Sequence, residues 1–234
     1  MRTDRVTLVG MPHGRFRFEG DLSLFLLPSQ RDREVERSWS ETDTLMHVVE
    51  SLGVPHTEVE RIESDGEAIR VYPRRRERLE DARFVLDQHL GRLAAYLRML
   101  GFDVLHRVPF PDEELAAVSS AEGRVLLTRD VGLLKRKEVR RGYFVRATDP
   151  RMQLKEVVRR FCLAEAIAPF TRCVVCNTPL VHAGKAEVAG RLPARIAELH
   201  DEFRRCSTCG RVFWKGSHYD RMMALVEAVR RETC

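Results

Sequence analysis

The sequence predicts an α/β chain built from three unlike parts, and three observations predict it. Between residues 14 and 74, short stretches with apolar residues at period two surround one helix-like segment. From residue 82 to 165, short apolar strands alternate with amphipathic helices, the pattern of a parallel sheet covered on both faces. Between residues 168 and 234, four of the six cysteines fall into two C-x-x-C pairs. At 234 residues, with 44% apolar and 32% charged residues, the chain is globular and long enough for three small domains. No stretch approaches 18 uncharged apolar residues, so no membrane-spanning helix is expected. The opening "MRTDRVTLVGMPHGRFRFEG" mixes charges and glycines where a secretory leader needs a continuous apolar core, so a cytoplasmic protein is expected.

In the first part, "RFRFEG", "REVERSW", "EVERI" and "EAIRVYP" read as short strands. "TLMHVVESLGV" places Leu45, Val48, Val49 and Leu52 on one helical face, with Thr42, Asp43 or Thr44 as its cap. This economy is what a β-grasp needs. The stretch "TLMHVVESLGVPHTEVERIESDGEAI" resembles the helix and following strands of the MoaD and ThiS sulfur carriers of the ubiquitin-like superfamily. Those carriers work through a free C-terminal Gly-Gly, whereas this chain runs on through "VYPRRRERLEDARF", so the carrier chemistry does not transfer.

"PRRRERLED", residues 73 to 81, is a charged break and reads as the linker. "RFVLD" is then a short strand ending on Asp87. "QHLGRLAAYLRMLGF" follows as a helix with Leu90, Leu93, Ala94, Leu97 and Leu100 on one face, and Gly101 suits its C-terminus. Strand "DVLHRV", helix "DEELAAVSSAEG", strand "RVLLTRD", a basic segment, strand "YFVRA" and helix "PRMQLKEVVRRFCL" complete the alternation.

In such a sheet, ligands bind beyond the carboxyl ends of the strands, near the point where strand order reverses. Asp87 and Asp130 sit at strand ends, and Asp112, Glu113 and Glu114 begin the helix after the second strand, so all can converge on one rim. Taken alone, Asp130 reads as a helix cap or turn former. Taken together, crowded carboxylates call for a hard divalent cation, Mg²⁺ or Mn²⁺. Asp103 opens its strand at the opposite edge and reads as a turn or capping residue; for Asp149, before Pro150, a turn role is at least as apt as a metal role.

Charge is uneven. Arg31 to Glu67 holds eleven Asp/Glu against four Lys/Arg, whereas Leu133 to Arg160 holds ten Lys/Arg against three Asp/Glu. The cationic stretch, with Lys135, Arg136 and Lys137 beside Asp130, suits a polyanion such as RNA, a solvated basic face being the plainer alternative.

Each C-x-x-C pair, Cys173/Cys176 and Cys206/Cys209, can chelate one tetrahedral Zn²⁺ from a tight turn, and four thiolates close a structural site. Asn177 and Gly210 follow the second cysteine of each pair, the two residue types that best tolerate the left-handed conformation of such a knuckle. A redox C-x-x-C is the runner-up, disfavoured because neither pair opens a helix after a strand. His182, His200 and His218 read as surface or hydrogen-bonded histidines. After the second pair, "RVFWKGSHYDRM" interleaves aromatics with cations, so Trp214 and Lys215 are candidates for contact with a single-stranded nucleic acid, the alternative being that Phe213 and Trp214 pack the ribbon core. "RMMALVEAVRR" reads as a terminal helix docked by Met222, Leu225, Val226 and Val229.

"FVLDQHLGRLAAYLRMLGFDVL", "DEELAAVSSAEGRVLLTRDVGLL", "RCVVCNTPL" and "FRRCSTCGRVFWKGSHYDRM" together resemble the Mut7-C family, a PIN-like ribonuclease domain followed by a zinc ribbon, of which some bacterial members carry a ubiquitin-like domain in front. The resemblance implies a three-layer α/β/α PIN-like domain and a metal-dependent RNase with acidic residues at Asp87, Asp112 and Asp130, Glu113 being a substitute for Asp112. The alternative is a nonenzymatic RNA- or ribosome-binding adaptor, which would not require the acidic set. The roles open to the β-grasp are an inhibitory lid, a protein-docking module or a dimer contact.

Overall fold

The computed structural model describes residues 11–188 and 190–232; Cys234 and the first ten residues, on which the leader argument partly rests, lie outside them. In the N-terminal part, β1 (His13–Phe18), β2 (Val35–Ser38), α1 (Leu45–Ser51), β3 (Val59–Asp65) and β4 (Ala68–Pro73) form a sheet of order β2-β1-β4-β3. β1 and β4 run parallel in the centre and the outer pairs are antiparallel, which is the arrangement of a β-grasp. Along β1, Phe16 and Phe18 point inward and Arg15 and Arg17 outward, because one face of the sheet packs on α1 and the other meets solvent. Of the three candidate caps, Thr44 accepts the backbone N–H of His47 at 3.2 Å.

The central part contains β5 (Arg83–Leu86), α2 (Gly91–Met99), β6 (Asp103–Leu105), α3 (Asp112–Glu122), β7 (Val125–Thr128), α4 (Val131–Leu134), β8 (Gly142–Phe144) and α5 (Pro150–Arg160). Its sheet has the order β6-β5-β7-β8 and all three pairings are parallel. Every residue of β7 is buried, as a strand covered on both faces requires. Phe84, Leu86 and Leu127 face α2 and α5, whereas Val85 and Leu126 face Leu115 and Ala116 of α3 and Leu133 and Leu134 of α4. Two cores on opposite faces make the three layers. Gly101 ends the turn after α2 at φ 99°, and a Cβ there would collide with the carbonyl oxygen of Ala168. The basic segment after β7 opens with α4, a helix one turn long and too short to show a period in sequence.

The C-terminal part contains β9 (Leu180–Ala183), α6 (Lys185–Val188), α7 (Ala194–Leu199), β10 (Phe203–Cys206), β11 (Val212–Trp214) and α8 (Tyr219–Arg230). The three strands form an antiparallel sheet of order β11-β10-β9, with α6 and α7 as the insertion between the cysteine pairs. α8 returns to the central part, where Val226 and Val229 are fully buried and Met222 and Leu225 pack beside them. The linker is pinned too, because Leu79 sits in the same core.

Both edges of the parallel sheet are covered. On β8, the N–H of Phe144 donates to Glu58 of the β-grasp at 2.7 Å. On β6, the N–H of Val104 donates to Oδ1 of Asn177, in the first cysteine knuckle, at 3.0 Å. An open parallel sheet otherwise presents such groups to any passing strand. No helix among the described residues is long and apolar enough to cross a membrane.

Candidate active site and cysteine centre

The chain passes from β5 outward to β6, then crosses back over β5 to β7, so strand order reverses between β5 and β7. At that switch point Asp87 and Asp130 follow their strands. Asp87 is 6% exposed; its Oδ1 accepts the N–H of His89 at 2.6 Å and its Oδ2 the hydroxyl of Thr128 at 2.7 Å. The same Thr128 oxygen accepts the N–H of Asp130 at 2.9 Å. One buried hydroxyl thus sets both acids. Sequence reasoning passed over Thr128; the signal available was a polar residue closing an otherwise apolar buried strand, two positions before the acid.

Asp130 is the cap that the plainer reading expects: its Oδ1 accepts the N–H groups of Gly132 at 2.7 Å and Leu133 at 3.2 Å. Its other oxygen accepts no hydrogen bond from a described residue. Asp112 and Glu113 occupy the first turn of α3, which follows β6 and so starts from the same rim, and both are exposed. Glu113 lies 3.9 Å from Arg136, and Glu114 pairs with Arg107. Acidic residues there also suit the positive end of the helix dipole. The carboxylates of the rim are not closed up: among the described residues, only the four cysteines bring three or more ligand atoms of this kind within 4.8 Å of one another. Arg129 braces the neighbouring rim segment by donating to the carbonyls of Val145, Arg146 and Ala147 at 2.9, 2.8 and 2.6 Å.

The cationic run divides. Lys137 is exposed, whereas Lys135 and Arg136 are half-buried. The Lys135 ammonium donates to the carbonyl of Glu50 at 2.7 Å, a second donor for a carbonyl at the C-terminal end of α1 that also accepts the N–H of Gly53 at 3.1 Å. Lys135 thus ties the sheet domain to the β-grasp from within the cationic run. Trp214 is half-buried and packs against the small core of Ala183, Val188 and Phe203, and Lys215 pairs with Glu202 at 2.7 Å. A cavity of about 320 Å³ lies elsewhere, on the β-grasp. A larger one, about 520 Å³, opens between the ribbon sheet and α8, lined by Phe170, Phe213, Trp214 and Tyr219 among others.

Cys173, Cys176, Cys206 and Cys209 converge from two knuckles, with sulfurs 3.8 Å apart for Cys173–Cys209, 3.4 Å for Cys173–Cys176 and 3.3 Å for Cys176–Cys206. A tetrahedral zinc with Zn–S bonds of about 2.3 Å sets its sulfurs about 3.8 Å apart, so the donor set and spacing fit. Asn177 and Gly210 have φ of 67° and 70°, the left-handed turns their residue types allow, and each knuckle closes with an N–H to the carbonyl of its first cysteine at 2.9 and 3.0 Å. The cluster can hold a structural metal such as zinc.

Asp103 departs from the turn or cap expected of it. It accepts from Arg124 at 2.7 Å and from the Asn177 amide at 2.8 Å, with Arg172 at 3.8 Å, and so joins sheet to knuckle. Burial pushes its carboxyl up, but the hydrogen bonds from Arg124 and Asn177 prevail and hold it below the ordinary aspartate value. Asp149 caps α5 through the N–H groups of Arg151 and Met152, a local role of the kind weighed for it.

Residues 82–226 match the model of the Mut7-C RNAse domain, and residues 11–78 that of the Mut7-C ubiquitin domain. No curated protein and no solved structure matches the chain. Because the first match takes in the parallel sheet, the acidic rim and both cysteine pairs, more than half of the chain, this protein belongs to the Mut7-C RNAse domain family and carries the ubiquitin-like domain in front.

Proposed function

We propose that the protein is a metal-dependent ribonuclease that hydrolyses RNA phosphodiester bonds at the rim holding Asp87 and Asp130. The observation that carries this is the pair itself: two acids on neighbouring parallel strands at the switch point, aligned by one hydroxyl, with one oxygen of Asp130 left open. The donors are hard oxygens, which fit Mg²⁺ or Mn²⁺. Asp87 and Asp130, with Asp112 or Glu113 from α3, would hold the cation. Bound there, a divalent ion would draw negative charge off the phosphoryl group and make water a better nucleophile. Thr128 keeps Asp87 oriented, Arg136 and Lys137 meet backbone phosphates, and Trp214 with Lys215 offers a base and a phosphate contact at the ribbon. Zinc in the cysteine centre is structural, since four thiolates leave no open position.

The competing reading is a nonenzymatic RNA- or ribosome-binding adaptor, favoured by the rim carboxylates lying further apart than a closed metal cluster. The test is cleavage of a mixed RNA pool by the purified chain in Mg²⁺, in Mn²⁺ and in EDTA. Cleavage in either metal and none in EDTA is expected. Binding without cleavage in all three selects the adaptor.

A further inference from the structure

Arg98, in α2, is 5% exposed, and burying a guanidinium is costly unless an anion answers it. Among the described residues no carboxylate lies within ion-pair distance of Arg98. Its donors fan out over backbone carbonyls instead: Val104 at 3.0 and 2.8 Å, His106 at 3.4 Å, and Val174 and Val175 at 3.2 and 2.8 Å. Val174 and Val175 are the two residues between the cysteines of the first knuckle. Arg98 therefore lies directly against the backbone that carries Cys173 and Cys176.

Asp103 is already engaged by Arg124 and Arg172, and Arg124 also pairs with Glu122 at 2.7 Å. Three guanidinium groups therefore meet two carboxylates in this corner, and one cation is left over. A divalent ion held by four thiolates carries two net negative charges, because coordinated thiols are deprotonated.

We propose that Arg98 is the counter-cation of the cysteine metal centre, so that its charge supports metal binding by the four cysteines while its hydrogen bonds fasten the knuckle to the β6 edge of the parallel sheet. The arrangement is reciprocal. The metal centre stabilises a buried charge in the sheet domain, and the sheet domain holds two knuckle carbonyls in place. This rests on the reading of the cluster as a zinc site, and the two fail separately, as below.

The test uses the full chain, zinc-loaded, as wild type, Arg98→Lys and Arg98→Gln, titrated with a chromogenic chelator to the concentration that releases half the zinc. Wild type without about one zinc per chain overturns the zinc reading itself. With zinc present, Arg98→Gln is expected to release it at about 10- to 100-fold lower chelator, the usual scale for groups behind a metal's ligands. Arg98→Lys, which keeps the cation and loses most of the carbonyl fan, is expected within a few-fold of wild type. Equal release by Arg98→Gln and wild type overturns the proposal. Should Arg98→Gln fail to fold, Arg98→Lys decides: retention near wild type supports a role for charge, and a drop of tenfold or more leaves only the hydrogen bonds and overturns it.

Discussion

Thr128 is fully buried, and its hydroxyl is bonded to both acids at the switch point. Thr128→Val keeps the shape but strips Asp87 of a donor and leaves the Asp130 N–H without an acceptor, at a cost of about 1–3 kcal/mol. The expected outcome is a lower urea midpoint together with a loss of cleavage; a variant as stable and as active as wild type removes Thr128 from the site. The cations separate in a similar way. Lys137→Ala should flatten the salt dependence of RNA binding, by a slope of about 0.7 if one single-strand phosphate contact is lost, while Lys135→Ala should leave it unchanged and weaken the contact with α1. Binding titrations across a salt series distinguish the two. Asp87, Asp130 and the cysteines were legible as candidates because residue type and place in the alternation both pointed to them. The fate of Lys135 was not, since its partner Glu50 is 85 positions away.

Helices long enough to repeat their apolar face were legible and the one-turn helix α4 was not. α2 and α5 run nine and eleven residues and show their apolar faces in sequence, whereas α4 has four residues and is followed at once by three cations. The knuckles were legible because a left-handed turn favours Asn and Gly. Asp103 was misread because a strand-opening carboxylate looks alike whether it caps a turn or meets an arginine from another strand. At this scale the turn after α2 depends on Gly101. Gly101→Ala meets both a positive φ and the Ala168 carbonyl, and should cost roughly 2–4 kcal/mol, read as a lowered thermal midpoint. The knuckles depend on their metal. Stripping zinc with a strong chelator should unfold the β9–β11 sheet and expose the Val104 N–H, so hydrogen exchange should rise at both places and recover when zinc returns. Unchanged protection after complete metal removal would contradict a structural role.

At the scale of the molecule, two small domains flank a parallel sheet and each covers one of its edges. On the β8 side, Arg146 meets Glu58 at 2.7 Å and Asp21 at 2.8 Å, Phe25 packs edge-on against Phe144 at 5.3 Å, and His56 bridges Glu50 and the Val139 carbonyl. Glu58→Ala leaves Arg146 and the Phe144 N–H short of a partner and should cost about 3–5 kcal/mol. The expected result is earlier proteolytic cutting within residues 74–81, with the sheet domain intact. The β-grasp, the parallel sheet and the cysteine pairs were legible in composition and periodicity, but the docking was not, because it rests on single residues far apart in the chain. The central claim concerns the exposed end of this covered sheet, and Asp130→Asn tests it most directly. Asparagine caps a helix as well as aspartate does, so α4 should remain folded while the charge that would hold a cation is removed. The measurement is cleavage of a mixed RNA pool by wild type and Asp130→Asn in Mg²⁺ and in Mn²⁺, with binding to RNA followed in EDTA. The predicted result is cleavage by wild type, a fall of about 10²-fold or more in the variant, and RNA binding that is unchanged or tighter. Equal cleavage by the two proteins would contradict the account.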